Sequence, residues 1–386
     1  MPEPRHRPVE SVLSTIAALR AEHPKVGGRG WDFDGFRVWV ESNEPALLAE
    51  LERYFADFRR LEASSLEQAR AAGPLTRITA IQTIDPPDFG AGRTLNIGEY
   101  KPSVRGPKEA YFDAVDGRVV HKLRTGMWFL FGRDSSGSDD HLAIGPCTDN
   151  PNQVINFVNN RMIEWALHRG ALLGHASAVC RSRADGLPRA LAIAGFSGMG
   201  KSTLALHLMN DRRLDFLSND RVMMLPGAGA PTLLGVPKHP RINPGTILHN
   251  PDLAGILSAE ERARFEALPP AQLWQLEHKY DGLIRECFPT QRFVLRAELA
   301  GLVLLNWQRD GGPARASRID VGQRRELLPA LIKQPGLFYR PSAGGFEQSP
   351  DPDRYIELLA GVPVLELAGG VDFDLGQAAA LELLGL

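Results

Sequence analysis

The sequence predicts a mixed α/β chain of the α+β kind, and three observations point to it. First, residues 75–146 carry short alternating segments, TRITAIQTI, GRVVHKLR, GMWFLFGR and HLAIGP, broken by turn clusters such as AVDG. That rhythm predicts a mainly antiparallel sheet. Second, a glycine-rich loop, Gly195–Ser202, lies between a buried apolar run, Ala190–Ala194, and the helix-forming run STLALHLMN. Third, helical periodicity brackets both regions. The expected division is an α+β region of unassigned role over residues 1–150, then a domain built around the loop over residues 151–386.

The elements follow in order. Val9–Glu22 has apolar positions at helical spacing, Phe36–Val40 is strand-like, and Ala46–Leu61 reads as a second helix with an acidic start. Asn150–Arg169, opened by DNPNQ, sets Val154, Phe157, Ile163 and Leu167 on one helical face. Leu172–Val179 reads as one strand, RSRADGLPR as a turn, and Lys201–Asn210 as a helix followed by a short strand ending near Ser218. Further on, helical signals cover Ala259–Leu276, Val321–Lys333, Asp353–Leu359 and Gly376–Leu384. Two strands are expected within Phe293–Asn306, a late one at VPVLEL, and a loop over Pro341–Asp353.

Composition narrows the function classes. The 386 residues are 43% hydrophobic and 23% charged, which is ordinary for a folded chain and unlike a disordered one. Lys+Arg 44 against Asp+Glu 46 leaves a formal charge of −2, so neither nucleic acid nor a membrane surface is an expected partner. Cys147, Cys180 and Cys287 are far apart and form no CxxC pair, which argues for reduced thiols rather than a disulfide framework or a zinc site. The N-terminal stretch is polar and lacks an apolar h-region, and no apolar run near the loop approaches the ~20 residues that span a bilayer. The expected address is cytoplasmic, and a homo-oligomer is left open.

The chemistry is carried by Gly195-Phe-Ser-Gly-Met-Gly-Lys-Ser202, which fits GxxxxGK[ST] in strand–loop–helix context. Glycines let the backbone turn its N–H groups inward around phosphates, and the helix start adds a positive dipole end there. Lys201 is expected on the β- and γ-phosphate oxygens and Ser202 on Mg²⁺. Gly195, Ser197, Gly198, Met199, Gly200, Lys201, Ser202 and Thr203 are thus the expected nucleotide-binding residues. A phosphoryl-transfer site also needs a carboxylate at a neighbouring strand end. The next strand, LDFLSND, ends in Asn219 and Asp220, making Asp220 the expected metal and catalytic residue alongside Ser202.

The segment Gly195–Leu206, GFSGMGKSTLAL, resembles the GxSGxGKSxxAL stretch of the HPr kinase/phosphorylase catalytic domain. His175-Ala-Ser-Ala-Val179 is similar to that family's H-x-x-x-V strand, and LSND at Leu217–Asp220 to its VADD strand end. The resemblance covers about residues 172–245. It implies a phosphoenolpyruvate-carboxykinase-like P-loop core set in a mixed sheet, with ATP and Mg²⁺ as cofactors. It implies a kinase, usually acting on a protein serine, with His175 beside the catalytic carboxylate Asp220. The chain departs from the family at Asn219, where the first acidic residue of a pair is lost. It also reads His239-Pro-Arg241-Ile where the family has E-I-R-G, keeping Arg241, which joins Lys201, His175 and Asp220 as an expected catalytic residue. Neither NKxD nor an LSGGQ-like signature is present, which discounts GTPases and transport ATPases. The expected function is phosphoryl transfer from ATP to a protein or peptide hydroxyl, with a small-molecule kinase or a non-turnover nucleotide-binding protein as alternatives. Lys238 is a second candidate phosphate ligand, and Glu277, His278, Lys279 and Asp281 form a charged patch read as a solvated helix end.

Overall fold

The computed structural model describes residues 7–90, 93–94, 107–133, 139–269, 272–273, 276, 278–341 and 350–386. Glu277 and most of the expected Pro341–Asp353 loop lie outside the described residues. The chain forms two compact units, Met1–Trp165 with Pro335–Gln348, and Ala166–Gln334 with Ser349–Leu386. The units divide inside the helix Pro151–Leu167, and the first unit takes back a late segment.

The first unit holds a nine-stranded sheet in the order β3-β1-β2-β4-β9-β8-β7-β6-β5. The strands are β1 (Gly27–Phe33), β2 (Phe36–Ser42), β3 (Arg59–Arg60), β4 (Thr76–Gln82), β5 (Arg93–Thr94), β6 (Glu109–Asp113), β7 (Gly117–Lys122), β8 (Met127–Arg133) and β9 (Asp139–Gly145). All neighbours run antiparallel except β2 with β4 and β4 with β9. The helix Val12–Glu22 starts three residues later than its periodicity suggests, because Ser11 caps it and Asp116 accepts from Val12 N at 2.7 Å. Its apolar stripe, Val12, Ile16 and Leu19, is fully buried against Leu130, Leu142 and Ile144. Each such side chain contributes about 1.5–3 kcal/mol relative to exposure.

The expected Ala46–Leu61 helix is cut to Pro45–Tyr54. Phe55 and Phe58 leave it to pack on Phe33, and Arg59–Arg60 pair with β1. The segment Pro335–Arg340 is fastened to this unit by buried arginines. Arg118 donates to Leu337 O and Tyr339 O at 3.1 and 3.0 Å, and Phe338 packs among Phe129, Phe131 and Phe157.

The second unit contains a second large sheet, with the path β10-β14-β15-β18-β12-β11-β13 and β20 and β19 continuing from β18. Its strands are β10 (Leu172–Gly174), β11 (Ala176–Arg181), β12 (Arg189–Gly195), β13 (Leu214–Ser218), β14 (Val222–Leu225), β15 (Thr232–Gly235), β18 (Arg296–Trp307), β19 (Arg315–Ile319) and β20 (Val364–Gly369). A separate ribbon pairs β16 (Arg241–Ile242) with β17 (Tyr280–Asp281). The sheet is mixed: β12 with β18 and β18 with β20 are parallel, while β11 runs antiparallel to β12 and β13. A mixed sheet was the expectation here.

Four elements differ from the sequence reading. The helix expected over Ala259–Leu276 ends at Glu266. The single strand expected over Leu172–Val179 breaks at His175, so that β10 pairs with β14 and β11 with β12. The two strands expected within Phe293–Asn306 are one strand, β18, which crosses Gly301 beside a register shift in its pairing with β12. The helix expected over Val321–Lys333 is a short 3-10 turn, Arg325–Ala330, with Pro329 inside it. Proline lacks the N–H that an α-helix interior needs. Among the described residues, no helix is long and apolar enough to cross a membrane.

Candidate functional site

The site is built where β12 ends. Gly195 is its last residue, and a Cβ there would stand 2.9 Å from Leu305 Cβ, so glycine is needed for close approach of β12 to β18. Gly198 and Gly200 have a different reason: their φ values of 84° and 87° lie in the left-handed region. Gly200 opens the helix Lys201–Leu208, and no side chain caps it. The N–H groups of that first turn, at Lys201, Ser202 and Thr203, therefore face outward without an intrahelical acceptor, as an anion requires.

Side chains brace the loop. Trp307 Nε1 donates to Met199 O at 2.8 Å, and the Trp307 ring meets Phe373 edge-on at 5.2 Å. Phe373 also closes on Gly200, within 3.0 Å of where a Cβ would lie. Thr203 Oγ1 is 3.0 Å from Thr246 Oγ1. Lys201 is 8% exposed, and its Nζ donates to Gly195 O and Phe196 O at 2.8 and 3.2 Å. Burial lowers its pKa to about 8, against which the Asp220 charge acts, while Lys333 adds to the lowering. Lys201 therefore folds over the loop it serves, with donors that phosphate oxygens could take over from the two carbonyls.

The neighbouring strand end separates Asn219 and Asp220 by role. Asn219 is 7% exposed, and its Oδ1 accepts from Ser202 Oγ at 2.6 Å and from Ser177 Oγ at 3.1 Å. The position next to the Ser202 hydroxyl is thus Asn219. Asp220 sits one residue further on in the left-handed region, at φ 69°, which an aspartate tolerates better than most residues. Its carboxylate has partners of its own. Oδ1 lies 3.3 Å from His175 Nε2, and Oδ2 lies 3.5 Å from Arg221 Nε. Burial pushes the Asp220 pKa up, but the His175 hydrogen bond and the charges of Arg221 and Lys238 more than offset it and hold it well below the carboxylate range.

His175 reaches Asp220 from the break between β10 and β11 rather than from within a strand. Its backbone N–H donates to Leu331 O at 2.6 Å, and Lys333 N donates to Leu173 O at 3.1 Å. Pairing of 331–333 with β10 places Lys333 where its charge acts on Lys201, Asp220 and Arg221. Lys238 follows β15 and also acts on Asp220. Arg241 lies at the edge of the group: it is exposed on β16, its Nε lies 3.4 Å from Asp281 Oδ1, and its charge acts on Lys238. Lys333, Arg221 and Ser177 are site residues that sequence reasoning did not single out. Only Ser177 had a signal, its place in the His175–Val179 segment.

These residues fit a magnesium nucleotide on structural grounds. The loop has two left-handed glycines, an uncapped helix start and a buried lysine on exchangeable carbonyl partners. Ser202 would hold the metal with Asn219 beside it and Asp220 nearby. Among the described residues, no three His, Cys, Asp or Glu side chains converge to hold a metal alone, so triphosphate oxygens would complete its shell. No protein-family model matches the chain, and no curated protein matches it. Among solved structures, the Hpr(Ser) kinase/phosphatase from Coxiella burnetii matches at 11% identity over 55% of this chain and 97% of that one, with a TM-score of 0.26. Likeness at that level carries no argument about activity.

Proposed function

We propose that the protein transfers the γ-phosphoryl group of ATP, with Mg²⁺, to a hydroxyl acceptor, either a protein or peptide serine or threonine or a small molecule. The observation that carries this reading is the convergence of a phosphate-ready loop, ending in Lys201 and Ser202, on the His175–Asp220 pair.

In this mechanism the first-turn N–H groups and Lys201 hold the β- and γ-phosphate oxygens and stabilise charge as it develops there. Magnesium, when bound, neutralises and orients the triphosphate. Asp220 accepts the hydrogen bond of the incoming hydroxyl and points its oxygen at the γ-phosphorus. The acceptor O–P bond forms as the bond between the γ-phosphorus and the β–γ bridging oxygen breaks, and that electron pair leaves on ADP. Asp220 has a low proton affinity, so it orients the hydroxyl and its proton passes on to solvent. His175 holds Asp220 in place from the other side. Arg221 and Lys238 add positive charge around it.

A second reading is favoured by one observation. Asn219, not a carboxylate, meets Ser202, and an amide is a weaker metal ligand. A nucleotide-responsive protein without turnover has that feature too. Incubating the protein with γ-labelled ATP, cell protein and metabolite pools separates the readings. Label transfer that is lost in Lys201→Ala supports the kinase. Tight nucleotide binding with no transfer supports the alternative, and no nucleotide binding in folded wild-type protein sinks both. Adenine nucleotides are expected to bind better than guanine nucleotides.

A further inference from the structure

Cations gather around Asp220 in excess of what a nucleotide requires. Lys201 belongs to the phosphate loop, but Arg221, Lys238 and Lys333 do not; all of them act on the carboxylate of Asp220, and Lys238 also feels the Arg241–Asp281 pair, whose charges oppose each other. Asn219, an amide, adds no charge. Three chain segments distant in sequence deliver these side chains to one place. Arg221 follows β13, Lys238 follows β15, and Lys333 arrives through the pairing of Ile332 with Gly174 and of Lys333 N with Leu173 O. Arg221 Nε is buried, stands 3.5 Å from Asp220 Oδ2 and makes no hydrogen bond. Burying several like charges around one carboxylate is costly unless another anion joins them. Lys238 and Lys333 bear that cost in the unliganded protein, since burial lowers the pKa of each.

We propose that Arg221, Lys238 and Lys333 form an oxyanion subsite beside the phosphate loop, and that the hydroxyl acceptor carries its own carboxylate or phosphate group, which binds there. The proposal rests on the kinase reading above and names its substrate class. The acceptor's anionic group would anchor on the three cations, leaving its hydroxyl to Asp220. Lys333 would be the discriminating residue, since its charge reaches both the phosphate loop and Asp220. A neutral hydroxyl compound would leave the three cations uncompensated and bind poorly.

The test titrates inorganic phosphate, and separately malonate, into protein saturated with magnesium and a non-hydrolysable ATP analogue. Phosphate and malonate distinguish a phosphate-bearing from a carboxylate-bearing acceptor. At least one is expected to bind saturably in the nucleotide complex. Its affinity should fall at least about tenfold in Lys333→Gln and in Lys238→Gln, the scale of losing a hydrogen bond to a charged group. The variants are made separately and checked for a folded melting transition. Anion binding that the nucleotide analogue displaces would place the ion on the phosphate loop and overturn the subsite. The absence of binding for both anions, or affinities unchanged in the folded variants, would overturn it too. If the analogue itself fails to bind, the kinase reading falls. Lysine-dependent phosphate or malonate binding in that protein would still establish the anion subsite.

Discussion

Replacing Asn219 with aspartate tests the geometry of the site most directly. Asn219 Oδ1 takes hydrogen bonds from Ser202 Oγ at 2.6 Å and Ser177 Oγ at 3.1 Å, and a carboxylate of the same shape can accept both. Asn219→Asp should therefore fold, while placing a negative charge next to the hydroxyl expected to ligate magnesium. Two unit charges about 4 Å apart interact by about 4 kcal/mol at an effective dielectric of 20. Desolvating the carboxylate at a site that is 7% exposed, and its repulsion with Asp220, oppose that gain. A net gain of about 1.4 kcal/mol, or tenfold, is a conservative expectation. The assay is nucleotide binding by calorimetry across a magnesium series. The magnesium concentration for half-maximal nucleotide affinity should fall by about tenfold or more. An unchanged or higher magnesium requirement in a folded Asn219→Asp protein would refute the placement of residue 219 beside the metal.

Asp220→Asn should lower phosphoryl transfer by at least ~10²-fold, the scale of losing the orientation of the incoming hydroxyl, with turnover normalised to folded protein as the readout. Asn219→Ala should instead act mainly on stability, by about 1–3 kcal/mol in denaturant melts, because it strands the Ser177 and Ser202 hydroxyls. Equal, small effects on rate from the two substitutions would remove Asp220 from the mechanism. His175→Leu deletes the hydrogen bond that helps hold Asp220 ionised, so the acid limb of the pH–rate profile should move to higher pH; an unmoved limb would count against the pair. Lys201 titrates near 8 when folded against 10.5 as a free side chain, so over that interval the unfolded chain binds more protons. Its contribution should make the unliganded protein more stable as pH rises from 8 toward 10.5, and Lys201→Met should flatten that rise in melts at a pH series.

Much of the scaffold was legible along the chain because its causes are local. Ser11 caps the helix that follows it, Val12, Ile16 and Leu19 show their buried stripe in sequence, and Gly195–Ser202 contains the whole loop within one short stretch. The boundaries that failed were set from outside the segment. Arg59–Arg60 left the helix pattern because β1 offered hydrogen bonds, and His175 broke a continuous apolar run because its two halves pair with different strands.

By itself the sequence determined the glycine-rich loop, the lysine and serine on it, and the Asn219-Asp220 strand end. Only the tertiary structure decided which of that pair faces Ser202. Asp220 takes a left-handed φ, which no residue pattern encodes unambiguously. Only the tertiary structure, too, brought Lys333 to a site whose loop lies more than a hundred residues earlier, and left Arg241 on Asp281. The physical reason is the same in each case. A loop that cradles phosphate is made by backbone torsions of consecutive residues. A pocket's charge, by contrast, is summed over side chains that distant strand pairings bring together.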